Sequence, residues 1–222
     1  MRIQYTIRSL IIGKTSEATM SYMTRACPAL ENVEFTQDLD NFQDCSYAFA
    51  GNYSLKFVSF DNLILSNCTD FTEMFSGCSH ITTIPLLDTS SGTNFSYMFY
   101  YCQSLTSVPL LDTSSGTDIS QMFTGCGALA TIPNLDWSND TNDGYTLYGN
   151  FTKILVTFGE FDITINCNLD RENIVTVFDN LPETLLSPTI YLNGNPGAPE
   201  LTLTDIDIAT DKGWTVTTGD QF

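Results

Sequence analysis

The chain has 222 residues, of which 42% are hydrophobic, and it carries 8 basic against 26 acidic side chains, for a formal net charge of −18. Because this charge repels phosphate backbones and anionic lipid surfaces, we expect neither nucleic acid nor a membrane surface as a partner. No stretch approaches the ~20 apolar residues of a membrane-spanning helix. The acidity fits solubility or a salt-rich habitat, or else a patch for a basic partner.

The first predicted element is a strand at the amino end. Ile3, Tyr5 and Ile7 alternate with polar residues, as in a strand with one buried face, so residues 1–19 are expected to form an N-terminal capping strand. The apolar run in this segment, LIIG, is shorter than the ~7–15 residues of a secretory signal core. The sequence thus predicts a chain that is not exported by the general secretory route.

Residues 20–140 are predicted to form a solenoid, because one unit recurs at a fixed period. A unit in which MFxxC is followed by a proline and by LD is written three times, 24 residues apart, and fainter copies at offsets of 25 or 26 residues precede it, for about five units. Units of this length bury their apolar face only by stacking on their neighbours. The expected ladder of buried side chains is Met74, Met98 and Met122, Phe75, Phe99 and Phe123, and Cys78, Cys102 and Cys126.

Each unit is predicted to consist of a helix, a turn, a strand and a second turn. With Thr93 as its cap, a short helix is indicated by apolar residues at i, i+3, i+4 and i+7, namely Phe95, Met98, Phe99 and Cys102. The following SLTSVP, with Leu105 and Val108 inward, fits one strand closed by a proline. The predicted fold is an α/β solenoid: a leucine-rich-repeat-like, right-handed stack of about five helix-turn-strand units of 24–26 residues, with a parallel sheet on one face and terminal caps.

Residues 141–222 are expected to form degenerate repeats and a C-terminal cap. The helix start signal LDREN precedes a second apolar stripe, and TIYLN follows as a strand. Thr204 is then placed to cap a short helix that Gly213 ends, and Trp214 opens a last strand. A solenoid needs such a cap, because its last unit otherwise exposes an apolar face and an unpaired strand edge.

Seven cysteines and a single histidine, His80, bear on disulfide and metal chemistry. Cys78, Cys102 and Cys126 each occupy the place of a small buried residue. A spacing of ~5 Å between units permits one bridge in this ladder, but the odd cysteine count and the missing signal favour reduced thiols. No CxxC pair exists, so we expect no zinc site and no other metal or cofactor.

The turns carry an acidic column formed by Asp88, Asp112 and Asp136. Stacked carboxylates repel one another unless each accepts backbone amides or shares a cation. The sequence LDTSSG has the composition of an Asx turn, in which the carboxylate binds the amide two residues on. A bound calcium ion is the alternative, and Trp137 departs from the pattern that a uniform ion site needs.

Two groups of exposed residues are candidates for recognition. Tyr97, Tyr100 and Tyr101 lie off the buried stripe, where the flanking units carry Glu, Ser and Gly or Gln, Thr and Gly. They either pack on an adjacent loop or subunit, or they bind a ligand. The outward strand positions form a neutral hydroxyl-rich face that suits sugar hydroxyls or a polar protein surface, although threonine also simply favours strands. This face comprises Thr82, Thr83, Thr106, Ser107 and Thr131.

The unit MFxxCxxLTxxPxLDTSSGT resembles the BspA-like leucine-rich repeat family and the related mycoplasma surface-protein repeat. The resemblance is strong over residues 68–137 and weak over residues 20–67, and the closing LTLTDIDIATDKGWTV is similar to the terminal cap of such repeats in intestinal Bacteroidetes and their phages. The resemblance implies a solenoid that adheres to or recognises a partner at a cell or virion surface, with no catalytic residues.

Together these features predict a non-enzymatic recognition or structural module. A surface-binding repeat without a secretion signal is expected in a bacteriophage virion, as a tail, fibre or decoration protein that is made in the host cytoplasm and binds a host-surface protein, another virion protein or a surface glycan. A BspA-like bacterial surface adhesin is the alternative. A polysaccharide-degrading solenoid enzyme is disfavoured, because no isolated carboxylate pair lies on the strand face. The small surface predicts oligomerisation or attachment to a larger assembly, where weak sites add.

Overall fold

Short parallel strands stacked along one axis form the body of the protein. In a computed structural model, which describes residues 8–12, 19–35, 42–59, 64–141, 145–159 and 161–219, the chain is a parallel β-solenoid of about 8 turns with few helices. We call each turn a coil. The strands are β1 Ser9–Ile12, β2 Asn32–Phe35, β3 Phe57–Val58, β4 Thr131–Ile132, β5 Asp136–Trp137, β6 Tyr145–Tyr148, β7 Lys153–Ile154, β8 Thr157–Phe158, β9 Ile163–Asn166, β10 Thr189–Tyr191 and β11 Thr215–Thr217.

Every strand pairing among the described residues is parallel. The sheets have the orders β1-β2-β3, β6-β9-β10-β11, β4-β7 and β5-β8. Between the ends of the solenoid, single parallel bridges continue the ladder through Thr19, Asp44, Asp70, Asn94 and Asp118. The residues that predict an N-terminal capping strand, Ile3, Tyr5 and Ile7, lie outside the described residues, and β1 begins at Ser9.

The helix predicted in each repeat is wrong, since its residues form a chain of turns and the described part of the repeats holds no α-helix. Backbone N–H groups alternate in direction: the Phe75 N–H donates to the Met98 carbonyl of the next coil over 2.9 Å, whereas the Met74 N–H donates to the Phe71 carbonyl of its own coil over 3.1 Å. Glu73 and Gly77 have positive φ angles of 50° and 75°, which no right-handed helix accommodates. Successive turns thus bury the same i, i+3, i+4 and i+7 positions that a helix would.

The predicted spine of stacked apolar side chains is confirmed. Rings of Phe49, Phe75, Phe99 and Phe123 follow one another with centroids 5.2, 5.8 and 5.6 Å apart and planes within 20° of parallel. All nine residues of the predicted Met, Phe and Cys ladder are buried. Because Phe49 belongs to a faint copy of the repeat, the stacking also confirms that the repeat extends toward the amino end.

The thiols of the cysteine ladder bind backbone rather than one another. Sγ of Cys102 donates to the Phe75 carbonyl over 3.1 Å, and Sγ of Cys126 donates to the Phe99 carbonyl over 3.1 Å. Burial raises the pKa of the Cys126 thiol to about 12, and it does the same for Cys78. These cysteines are therefore weak donors inside the core and poor nucleophiles.

The ladder cysteines are free, as expected, and one disulfide forms elsewhere in the stack. Cys45 and Cys68, which lie in consecutive coils outside the ladder column, form a disulfide with their Cα atoms 6.4 Å apart. Stacking brings these two positions together in the same way that it aligns the phenylalanines. The remaining cysteines are free, and Cys27 alone among them is exposed.

Two helices near the carboxyl end agree with the prediction in place. Helix α1 (Arg171–Asp179) begins after its cap Asp170, and α2 (Leu203–Thr210) precedes β11. The cap of α2 is Thr202 rather than the predicted Thr204, because Asp205 returns a hydrogen bond to the Thr202 N–H and completes a capping box. Arg171 ties the helices together through a 2.6 Å ion pair with Asp205. None of the described helices has the length and apolar composition to cross a membrane.

Candidate binding surface

The turn segments place three columns of residues along one side of the solenoid. The first column is Tyr22, Tyr47, Glu73, Tyr97 and Gln121, all with positive φ. The second, three residues later, is Arg25, Ala50, Ser76, Tyr100 and Thr124. The third, which again has positive φ throughout, is Ala26, Gly51, Gly77, Tyr101 and Gly125. We give the name tyrosine surface to Tyr22, Arg25, Tyr47, Glu73, Tyr97, Tyr100 and Tyr101.

The structure brings the three predicted tyrosines together at one end of this surface. The Tyr100 ring lies 5.2 Å from that of Tyr97 and 4.5 Å from that of Tyr101, with interplanar angles of 69° and 67°. Tyr97 and Tyr101 are 37% and 47% exposed. A Cβ atom on Gly125 would lie 3.0 Å from the Tyr101 ring, so this ring covers the glycine of the next coil. The rings therefore form perpendicular walls rather than a flat platform.

A second aromatic pair, which the sequence analysis missed, lies at the other end. Tyr22 and Tyr47 are stacked at 4.8 Å with an interplanar angle of 5°. The guanidinium carbon of Arg25 lies 5.0 Å from both ring centroids, within the range of a cation–π contact. The signal was present in the sequence, because the 25-residue offset that aligns the faint repeats also aligns Tyr22 with Tyr47.

A groove of about 310 Å³ separates the two aromatic groups. Gly51 and Gly77 form its floor, with φ angles of 73° and 75°. A Cβ on Gly77 would meet the Tyr53 ring at 3.6 Å, so Tyr53 borders the floor. Arg25 and the Tyr100–Tyr101 pair contribute to the lining, as does the half-buried Glu73. Small residues on the floor leave room between aromatic walls.

Glu73 is the acidic group of this groove. Burial is the largest cause that raises the pKa of Tyr47, and the nearby Glu73 carboxylate is the second largest. Burial is also the largest cause that raises the pKa of Tyr100, Tyr101 is the next, and Glu73 makes a smaller contribution. Glu73 therefore acts electrostatically on tyrosines at both ends of the groove, while the ion pairs of the described residues do not include it.

The predicted hydroxyl-rich face lies on the strand side of the coils. Thr82, Thr106, Thr131 and Ser107 are exposed, as is Thr83. Both the N–H and the hydroxyl of Thr106 donate to the Thr82 carbonyl, over 2.9 and 3.0 Å. The Thr106 hydroxyl thus serves the ladder between coils, in keeping with the alternative that threonine is present because it suits strands.

The acidic column consists of Asx turns, which is the first of the two interpretations that the sequence allows. Oδ1 of Asp112 accepts from both the N–H and the hydroxyl of Ser114, over 3.1 and 2.7 Å, and Asp88 and Asp136 have the same amide contact. No group of three or more potential metal ligands is close enough to hold an ion among the residues that the structure describes. A shallow groove of about 900 Å³ runs along this column beside the exposed Leu86 and Leu110.

The turn segments begin with a second column of Asx turns, which the sequence analysis did not identify. Oδ1 of Asn94 accepts from the Ser96 N–H over 3.0 Å, and Asp118 binds Ser120 in the same way. The predicted cap Thr93 instead donates its hydroxyl to the Thr69 carbonyl of the preceding coil over 3.2 Å. The sequence signal is an Asp or Asn two residues before a Ser or Thr in successive units.

Replacing Ser114 by alanine is expected to raise the pKa of Asp112. The Ser114 hydroxyl and N–H hold this pKa below its usual value of 3.8. A carboxyl whose pKa is lowered in the folded state stabilises the protein above its unfolded-state pKa, and this stabilisation disappears as the pH falls through the folded-state pKa. The variant should therefore lose less stability than the wild type when the pH falls below ~4. Carboxyl NMR titration measures the shift, and Ser115→Ala is the control; an unchanged Asp112 pKa in Ser114→Ala would contradict the assignment.

Similarity to known proteins extends over the repeats. A family model described as "Mycoplasma protein of unknown function, DUF285" matches residues 43–153, which is half of the chain and includes Tyr47, Glu73 and the Tyr97 cluster. No curated protein and no solved structure matches the chain. The matched segment carries the stacked spine, both turn columns and the lining of the groove apart from Arg25 and Ala26. The chain therefore belongs to this family of mycoplasma repeat proteins.

Proposed function

We propose that the protein is a non-enzymatic recognition module that binds a partner through the tyrosine surface. Its family of mycoplasma surface proteins fits a surface or recognition repeat. The solenoid supplies a rigid scaffold, and the exposed columns supply side chains that differ from coil to coil without changing the interior. Catalysis is absent from the proposal, because the regularly placed aspartates use their carboxylates to hold turns.

One observation carries the proposal. Tyr101 has a φ of 55° at a position where Gly51, Gly77 and Gly125 occupy the other central coils. Positive φ itself belongs to the coil geometry, since the first column has it in every coil. Glycine, however, is the residue that adopts it without a steric cost, and only here does the third column carry a large side chain. Tyr101 is also 47% exposed, so packing within the chain accounts for only part of its contacts. A binding role explains why this coil departs from glycine.

A triple variant tests the proposal. Tyr97→Gln, Tyr100→Thr and Tyr101→Gly replace the cluster by the residues of the next coil, so we expect the free energy of unfolding to change by less than about 1 kcal/mol. Binding to a printed array of extracellular proteins and cell-surface glycans should fall at least about tenfold, since aromatic side chains dominate recognition.

Thr82→Ala with Thr106→Ala on the strand face is the control and should bind like the wild type. Equal binding of the triple variant and the wild type would refute the role of the tyrosine surface. Binding lost only in the threonine variant would move the site to the hydroxyl-rich face.

We propose a cell surface in preference to a virion as the location, and the fit of this family to a surface repeat module supports that choice. The virion remains a prediction, as do oligomerisation or attachment to a larger assembly. Surface proteolysis of intact cells, followed by mass spectrometry, separates the two locations: loss of the chain supports the cell surface, and its presence in purified phage particles supports the virion.

A further inference from the structure

The first coil contains a built-in example of how the tyrosine surface binds a cation. Arg25, in the second column, places its guanidinium carbon 5.0 Å from the rings of Tyr22 and Tyr47, which are the first-column residues of its own coil and the next. A cation over the negative face of an aromatic ring is attracted by the ring quadrupole. This contact joins two coils, and its cation is a residue of the protein itself.

Two coils farther along, a small and nearly buried side chain takes the same place in the column. Ser76 takes the position of Arg25 there, and the corresponding first-column residues are Glu73 and Tyr97. Both Glu73 and Ser76 line the groove. A carboxylate therefore replaces one of the two rings, and among the described residues this carboxylate belongs to no ion pair. The groove thus places the Glu73 carboxylate beside tyrosine rings, with the Arg25 guanidinium as the one basic group in its lining.

The walls of the groove suit a compact cation better than a sugar ring. A pyranose stacks on a flat exposed ring, whereas the Tyr100 and Tyr101 rings that line the groove stand at 67° to each other. Perpendicular rings around a small space, together with a carboxylate, resemble the aromatic cages that hold cationic groups. The net charge of −18 also attracts a basic partner over a longer range.

We infer that the groove between Tyr53, Glu73, Tyr100 and Tyr101 binds an arginine or lysine side chain of a basic segment in a partner protein. This inference rests on the proposed function and specifies its ligand. The cation lies against Glu73 and the tyrosine rings, and its position is equivalent to that of the Arg25 guanidinium.

A peptide with one central arginine tests the inference directly. The probe is acetyl-Gly-Gly-Arg-Gly-Gly-amide, and its match is the same peptide with citrulline, which keeps the shape and loses the charge. Titration of the full chain with 13C-labelled tyrosine is expected to shift the signals of Tyr97, Tyr100 and Tyr101. The arginine peptide should bind at least about fivefold more tightly than the citrulline peptide, as a cation–π contact with an added carboxylate requires.

Two variants separate the groove from general electrostatic attraction. Glu73→Gln should weaken the arginine peptide about three- to tenfold, whereas Glu34→Gln removes the same charge from an exposed strand position and should have no effect. Ser76→Arg should block the groove from within. Equal affinity of the two glutamine variants, or of the two peptides, overturns the inference.

The outcomes also distinguish this inference from the proposed function. Neutral oligosaccharides that shift the same tyrosine signals, with no response to the arginine peptide, would overturn the cationic ligand and leave the tyrosine surface as the binding site. Array binding that persists in the triple variant would remove the proposed function itself.

Discussion

Replacing Phe99 by alanine is expected to lower the free energy of unfolding by about 3–5 kcal/mol. The Phe99 ring is fully buried, with ring centroids 5.8 Å from Phe75 and 5.6 Å from Phe123. Its removal leaves a cavity in the middle of the spine and breaks both stacked pairs, and neighbouring coils cannot close the gap because their backbones are hydrogen-bonded at fixed spacing. Urea unfolding followed by circular dichroism measures the loss.

Phe57→Ala is the matched control for the spine. The Phe57 side chain is 51% exposed on β3, so its removal should cost less than about 1 kcal/mol. If the two alanine variants unfold at the same urea concentration, the stacked phenylalanines do not carry the stability of the solenoid. A loss confined to Phe99→Ala supports the spine.

Replacing Asn52 by leucine is expected to cost about 3 kcal/mol, although leucine is similar in size and more apolar. The fully buried Asn52 occupies the column of the ladder cysteines. Its Nδ2 donates to the Thr24 hydroxyl over 2.9 Å and to the Phe49 carbonyl over 2.8 Å, and its Oδ1 accepts from the Cys27 N–H over 2.8 Å. Leucine can form none of these three hydrogen bonds.

The control for this substitution is Asn139→Leu. Asn139 is exposed and donates one hydrogen bond to the Ser114 carbonyl, which water can replace, so we expect a change below about 1 kcal/mol. Thermal unfolding of both variants gives the comparison. A stable Asn52→Leu variant would show that the buried amide is dispensable.

The sequence was sufficient to identify the buried residues, because burial follows from spacing alone. Phe75, Phe99 and Phe123 stack as expected, and Phe49, which an offset of 26 residues aligns with Phe75, joins the same column. The spacing did not distinguish a helix from a run of turns, since both return a side chain to the same face after three or four residues. Gly77 and Gly125, each one position before a ladder cysteine, were the local signal for turns.

Contacts outside the repeat pattern were harder to predict. Cys45 and Cys68 occupy columns in which the later repeats carry no cysteine, so only the stacking of their coils reveals that they meet. The cluster of Tyr97, Tyr100 and Tyr101 was visible as a local departure from the consensus. The groove that it borders was not, because Glu73 and Tyr53 come from other coils and enter the site only when the register between coils is known.

The tyrosine surface collects its side chains from four consecutive coils, and this sets its length in whole steps. Each step along a stack of strands is ~4.8 Å. Duplication or loss of one complete repeat between Asn52 and Tyr97 would keep the dry interior intact while moving Arg25 and Tyr100 apart or together by one step. Gene-level changes in repeat number would therefore alter the reach of the site, and with it the choice of partner, without any new packing having to evolve.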